Sequence, residues 1–377
     1  MDDLRRAIIS LTAGVSLVLL TACSGNTPPA EPAKPTAGAE DARWSQLIAA
    51  GRAEGKVVVM GSPIVPLSDA YSRQFPQDTG IQLEYLSVPT GEIGVRAPRE
   101  AASGNPSFDV VQSGAFPMDE LEPKGLLQPI KPLLVLPEVT NPTAWFGDNG
   151  VNYMDKNAQD IPRPTGSASP LLFINTTLVQ PGSIKSARDL LDPKWSGKIV
   201  ATDPRVAGPG QASASYLDAT FGPDFITSLF KGQAVVLVKE DRQAAEGVAR
   251  GTYAVGLGIS TQSAEAFRHE NLPLAPEAPA ESPGYLSGGF APLALVTGAP
   301  HPNAAAVFLN WALSKAGQTA YSQATLEVSG RKDMSSDAVP SYRVPKAGVT
   351  YLDTYSYDYY VNRRRPLATE VVNLLSQ

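Results

Sequence analysis

The sequence is poor in the residues that most enzymes and metal sites are built from. Among 377 residues there is one cysteine, Cys23, and there are two histidines, His269 and His301. A single cysteine excludes any internal disulfide, and two histidines far apart in the chain cannot supply a pair at metal-ligand spacing. Neither a Gly-x-Ser-x-Gly elbow nor a Walker loop is present. Carboxylates are plentiful, but nothing in the spacing of the 37 acidic residues singles out a catalytic pair. With 31 basic residues and a net charge of −6, the chain also lacks the basic face of a nucleic-acid binder, so no nucleic acid is expected as a partner. No internal repeat recurs at fixed spacing. These absences point to a binding protein rather than an enzyme, with no catalytic residues, no cofactor and no metal.

What is present begins with an export signal. Arg5 and Arg6 precede the apolar run Ala7–Leu20, which is too short to span a bilayer comfortably. Leu20-Thr21-Ala22-Cys23 then closes it with small residues and resembles the lipobox of bacterial lipoproteins, in which the cysteine is lipidated and becomes the mature N-terminus. Residues 1–22 are accordingly expected to be a lipoprotein signal peptide. Residues 23–40 follow as the lipidated Cys23 and a disordered tether, since Ser24–Glu40 is rich in proline and alanine without apolar periodicity. The anchor places the protein on the extracytoplasmic side of a membrane, at the cell surface or in the periplasm.

The most informative stretch of the folded body is Asp189–Gln211. A short helix ends at Asp192-Pro193, a buried β-branched strand follows at Lys198–Ala201, and Asp203-Pro204 forces a turn. Ala207-Gly208-Pro209-Gly210-Gln211 then opens a new helix through Ala219. A helix start presents unpaired N–H groups, and glycine lets a ligand approach them. Such an end favours an anion by roughly 0.3–1 kcal/mol when exposed and up to about 2 when partly buried.

Elsewhere the pattern alternates strands and helices. The helix carrying Trp44, Leu47 and Ile48, the strand Lys56–Met60, the helix Ser68–Phe75, the strand Ile81–Leu86, a helix from Thr90 to Ala102 and the strand Phe108–Val111 argue for a parallel sheet. Its strands end at Gly61-Ser62-Pro63, at Thr90-Gly91-Glu92 and at Gln112-Ser113-Gly114, three polar loops on one sheet edge where α/β proteins collect ligands. Residues 126–164 read as irregular. Ser167–Asn175 and Tyr285–Ala291 read as two crossings between lobes. The second lobe follows with the helices Pro223–Phe230 and Asp241–Gly251 and the strands Ala234–Val238 and Tyr253–Ile259. The tail carries Tyr351, Tyr355, Tyr357, Tyr359, Tyr360 and Arg363–Arg365, read as a helix packed on the second lobe with a basic exposed end.

Residues 191–205 (LDPKWSGKIVATDPR) resemble a signature of bacterial extracellular solute-binding proteins, in the group that includes the periplasmic ferric-ion binders of ABC importers. Trp44–Ser62, Phe108–Ala115, Leu171–Val179 and Asn303–Gln323 resemble further segments of the same group, in order. The resemblance implies an α/β, two-lobed periplasmic-binding-protein-like fold of type II. Each lobe would be a mixed, mainly parallel sheet flanked by helices, and two crossover strands would form the hinge. Lobe 1 would comprise 41–168 plus 288–325, and lobe 2 would comprise 169–287 plus 326–377. It implies a monomer that holds a small-molecule ligand in the cleft and presents it to ABC importer permease subunits.

Carried over stretch by stretch, the ligand set is Ser62, Gly91, Glu92, Gln112 and Ser113 from the first lobe. From the second it is Gly208, Gly210, Gln211, Ser260, Thr261 and Gln262, with Arg205 and Arg242 either forking onto the ligand or forming surface ion pairs. In the ferric relatives two adjacent tyrosines stand where Gln262 and Ser263 stand here, and a histidine stands near Gly61-Ser62, where this chain has none. Hard Fe(III) needs anionic oxygen donors. A small organic anion such as a phosphate ester, phosphonate or carboxylate is therefore the expected ligand, and a ferric ion held by the tail tyrosines is the alternative. Glu92, where an acidic metal ligand occurs in the ferric group, suggests a cation or amine on the ligand. The same fold can serve as the ligand-sensing subunit of a membrane signalling system, and a surface protein that has lost ligand binding and acts only by adhesion is a third alternative.

Overall fold

The computed structural model describes residues 37–147 and 149–376. The signal peptide and Cys23 lie outside the described residues. The chain from Ala37 to Gln377 forms one compact unit.

Its first part runs α1 (Ala37–Glu54), β1 (Lys56–Gly61), α2 (Val65–Thr79), β2 (Gln82–Ser87), α3 (Thr90–Ala102), β3 (Val110–Gln112), α4 (Phe116–Glu120), β4 (Leu127–Gln128) and α5 (Pro137–Thr140). A small hairpin, β5 (Asn152–Tyr153) and β6 (Pro162–Arg163), precedes β7 (Ser167–Ser169) and β8 (Leu172–Asn175). Then come β9 (Ile199–Thr202), α6 (Pro209–Phe221), α7 (Pro223–Thr227), β10 (Val236–Val238), α8 (Asp241–Ala249), β11 (Val255–Leu257), α9 (Thr261–His269) and β12 (Leu274–Glu277). The chain closes with β13 (Tyr285–Ser287), β14 (Leu293–Val296), α10 (Pro302–Leu313), α11 (Lys315–Thr325), β15 (Leu352–Asp353), α12 (Tyr357–Tyr359) and α13 (Arg365–Ser376).

Two five-stranded sheets organise the two lobes. The first has the order β2-β1-β3-β14-β4, with β1 parallel to β2 and β3 and with β14 antiparallel to β3 and β4. The second has the order β10-β9-β11-β8-β12, with β9 parallel to β10 and β11 and with β8 antiparallel to β11 and β12. Strand β1 is a run of Val57, Val58, Val59 and Met60 because both faces of its sheet are covered, and all four are buried. On one face Tyr71 and Phe75 of α2 meet Phe308 and Trp311 of α10 edge to face, with centroids 5.2–5.7 Å apart. The second lobe has its own core, in which Leu172, Ile174, Ile199 and Val255 pack with Leu217 of α6 and with Leu367 and Val371 of α13.

The antiparallel pair β7 and β13 connects the lobes, with Tyr285 opposite Ser169 and Ser287 opposite Ser167, and β15 adds a third, parallel strand. Several expectations needed correction. The segment Asn303–Gln323 is divided between two helices at Ser314, whose hydroxyl caps α11 by accepting from Gly317 N–H. The candidate ligand residues Thr261 and Gln262 lie in the first turn of α9 with Ser260 as its cap, and the edge strand β12 had no counterpart in the sequence reading. Helix α1 starts at Ala37, inside the stretch read as tether. The tail is not a helix lying on the second lobe alone, and its basic end is only partly exposed, because Arg364 is buried.

Candidate functional site

The site is built around the start of α6. Gly208 precedes it without any side-chain cap, and Pro209 stands in the first turn, so the N–H groups of Gly210 and Gln211 have no intrahelical acceptor. Gly210 is glycine for a steric reason. A Cβ there would lie 2.2 Å from the carbonyl oxygen of Thr202, at the end of β9. The loop after β11 closes on the same point, since Gly258 approaches Gly210 and its carbonyl accepts from the Thr202 hydroxyl at 2.6 Å. Two residues into α6 from Gln211, Ser213 is buried with its hydroxyl unpartnered.

The loop after β3 in the first lobe presents a similar pair. Gln112 and Ser113 are buried, Gln112 Nε2 donates to the Tyr71 hydroxyl at 3.2 Å, and Gln112 Oε1 and Ser113 Oγ have no partner. Buried polar atoms normally find partners, and Ser213 Oγ, Gln112 Oε1 and Ser113 Oγ are left without one.

Between the two loops lies the tail. Tyr355 sits against Gly288, and its hydroxyl is near Gly114. The Tyr359 hydroxyl donates to the carbonyl of Ser215 in α6 at 2.7 Å. The Tyr360 hydroxyl donates to Asp119 of α4, and Arg365 Nε reaches the other oxygen of that carboxylate at 2.7 Å. Residues Tyr360–Arg364 form a π-helical turn, a distortion that frequently accompanies functional sites.

That turn places Arg364, which is 1% exposed. Its Nε donates to Gln211 Oε1 at 3.0 Å, one terminal nitrogen to the Gly208 carbonyl at 3.2 Å and the other to the Thr354 carbonyl at 3.4 Å. The rings of Tyr355 and Tyr360 lie 4.7 and 5.2 Å from the guanidinium carbon. Among the described residues no carboxylate pairs with it. Burial holds the Tyr360 phenol well above its ordinary range, so it offers a neutral hydroxyl rather than a phenolate to balance the charge.

The other sequence candidates are spread around this centre. Ser62 is buried at the end of β1, with its carbonyl accepting from the Tyr85 hydroxyl at 3.1 Å. Gly91 and Glu92 occupy the first turn of α3, where Glu92 is exposed. Ser260 caps α9 by accepting from Ser263 N–H, and Thr261 is buried behind it. Gln262 Nε2 donates across to the carbonyl of Thr325 at 2.6 Å. Arg205 forks onto Asp203 at 2.8 and 2.6 Å, and Arg242 lies over the ring of Phe267 at 5.1 Å. Gly208 and Gln211 therefore meet the tail through Arg364, Gln112 turns its amide to Tyr71 in the first lobe, and Arg205 and Arg242 are engaged elsewhere. The sequence reading did not single out Arg364, whose place in a run of three arginines reads as solvated charge.

The arrangement of two lobes, two crossing strands and an uncapped helix start between them can be compared with known proteins. A model of the bacterial extracellular solute-binding protein family matches residues 65–319. The chain belongs to that family. An uncharacterized protein of Haemophilus influenzae is 26% identical over 289 residues, which cover 72% of this chain and 79% of the relative. Among solved structures, iron-bound HitA from Pseudomonas aeruginosa superposes with a TM-score of 0.62 at 19% identity, covering 85% of this chain and 97% of its own. The periplasmic binding protein AfuA from Actinobacillus pleuropneumoniae, with fructose-6-phosphate bound, gives a TM-score of 0.63 at 21% identity, with 85% and 99% covered. These likenesses establish the type II periplasmic-binding fold of this solute-binding protein. No helix among the described residues is long and apolar enough to cross a membrane.

Proposed function

We propose that this solute-binding protein captures a small organic anion, such as a phosphate ester, phosphonate or carboxylate, between its lobes and delivers it to the permease subunits of an ABC importer. In this reading the protein is exported, anchored through a lipidated Cys23, and works as a monomer. The carrying observation is the uncapped start of α6 at Gly208–Gln211, set between the lobes with the unpartnered hydroxyl of Ser213 behind it. Unpaired N–H groups and the helix dipole both favour negative charge there. The unpaired Ser113 Oγ and Gln112 Oε1 of the first lobe support this reading, since closure on a ligand requires contacts to both lobes.

A ferric ion fits the same centre poorly. Tyr355 and Tyr360, the tail tyrosines nearest the loops, flank the guanidinium of Arg364, and a trivalent cation beside a buried positive charge is strongly disfavoured. Thermal unfolding of the purified protein against phosphate esters, phosphonates, carboxylates and Fe(III) citrate tests the assignment. A ligand at 100 times its dissociation constant adds about 2.7 kcal/mol of stability. Stabilisation by an organic anion supports the reading, and stabilisation by Fe(III) alone overturns it.

A further inference from the structure

The binding reading leaves one group unexplained, and it is the costliest one in the cleft. A guanidinium 1% exposed needs a counter-charge, yet the groups that meet Arg364 are Gln211 Oε1, the carbonyls of Gly208 and Thr354 and the tyrosine phenols beside it, none of them a carboxylate. It also lies against the positive end of α6, where a cation is disfavoured. Nearby carboxylates are committed to other partners, Asp119 to Arg365 and Tyr360, and Asp353 to Arg163 through two contacts of 2.6 and 2.7 Å. An anion placed between Arg364 and the N–H groups of Gly210 and Gln211 would satisfy both at once.

We infer that Arg364, held by the C-terminal tail rather than by the loops of either sheet, is the charge that recognises the anionic group of the ligand. Its side chain is braced for that work. The rings of Tyr355 and Tyr360 both lie within cation–π range of the guanidinium and help to hold it in place. Each of its three nitrogens donates once to a protein acceptor, and the second N–H groups of the two terminal nitrogens, beside the Tyr355 hydroxyl, are the donors that the paired oxygens of a carboxylate, phosphonate or phosphate ester would take. The π-helical turn Tyr360–Arg364 lets Tyr360 reach Asp119 in the first lobe while Arg364 reaches α6 in the second. The tail thereby selects anions and rejects cations.

This inference rests on the anion-binding reading, and the experiment separates the two. The purified wild type, Arg364→Met and Arg364→Lys are titrated by calorimetry with fructose 6-phosphate, glycerol 3-phosphate, methylphosphonate, inorganic phosphate and citrate, and the ligand-free melting midpoint of each is recorded. For an anion that binds the wild type, Arg364→Met is expected to lose tenfold or more in affinity, because one side of a desolvated charge pair is gone. Its ligand-free midpoint is expected to be unchanged or higher, since an unpaired buried charge has been removed. Arg364→Lys keeps the charge without the fork and is expected to fall between. An affinity loss below tenfold in Arg364→Met overturns the inference and leaves the anion reading standing. Ligand-free midpoints that fall in both variants show a structural role and also overturn it. Failure of every anion to bind the wild type overturns the reading itself.

Discussion

The pair Glu327 and Arg343 gives the sharpest stability prediction, because both partners are buried and Arg343 is bonded to the crossing strand β7. Arg343 is held at 2.5 Å by Glu327, and both side chains are 3% exposed. The other terminal nitrogen of Arg343 donates to the Ala168 carbonyl and to Ser169 Oγ, each at 2.7 Å, so the guanidinium is fastened to β7. Glu327 lies just beyond β13, where a Cβ on Gly289 would come within 2.9 Å of its carboxyl carbon, and Gly289 adopts a φ of +57° that favours glycine. In Glu327→Gln a buried guanidinium is left with neutral acceptors only. Breaking such a pair costs about 3–5 kcal/mol. Unfolding entropy of about 2.1 cal/mol/K per residue over the roughly 340 described residues is about 0.7 kcal/mol/K, so the midpoint should fall by about 4–7 °C.

Differential scanning calorimetry of the wild type, Glu327→Gln, Arg343→Met and the double variant Glu327→Leu with Arg343→Met checks this. The double variant removes both charges, so its loss should be smaller than the sum of the single losses. A shift below about 1 °C in Glu327→Gln, or a double variant equal to the sum, would refute the claim that the pair is desolvated.

Two further outcomes follow from particular contacts. Gly210→Ala should destabilise by about 1–3 kcal/mol in urea titrations, because the new methyl meets the Thr202 backbone at 2.2 Å, although helix propensity alone predicts a gain. Asp160 has its pKa raised by desolvation and then by Asp155, and its Oδ1 is buried without a partner. Because the folded state binds that proton more tightly than the unfolded state, stability declines as pH rises from the ordinary aspartate range through the raised value. Asp160→Asn should therefore stabilise the protein at pH 7 and flatten the slope in that window, measured by melting midpoints between pH 3 and 8. Glu122, raised by desolvation and by the same Asp155, keeps a residual slope of the same sign.

Much of this architecture could be read from local sequence because local forces set it. The run Val57–Met60 announces a strand buried on both faces, and Asp203-Pro204 with Ala207–Gln211 announces a turn and a helix start. Other features are set by tertiary contacts. Strand β12 contains Pro276, which argues against a central strand, and it is tolerated because β12 is the edge next to β8. The break between α10 and α11 had a usable signal in Ser314 and Gly317, where a Cβ at Gly317 would lie 2.1 Å from the Trp311 carbonyl oxygen.

The cleft shows the same division more sharply. Its helix start was legible because glycine and proline report backbone geometry directly, whereas the basic run at Arg363–Arg365 divides its members among different environments. Arg363 is exposed, Arg364 is buried against Gln211, and Arg365 pairs with Asp119. Three identical side chains in a row cannot signal that difference, because a π-helical turn and contacts about 150 residues away create it. The arginines that the sequence favoured, Arg205 and Arg242, lie closer to the loop in sequence but are occupied by Asp203 and Phe267. A buried charge costs several kcal/mol unless something compensates it. In a solute-binding fold the cation left uncompensated by the protein is therefore a better guide to the ligand than the cation nearest the motif. If Arg364 recognises the anion, exchanging the loops of the first sheet while keeping Gly208–Gln211, Tyr355, Tyr360 and Arg364 should preserve the preference for anions in calorimetric titrations.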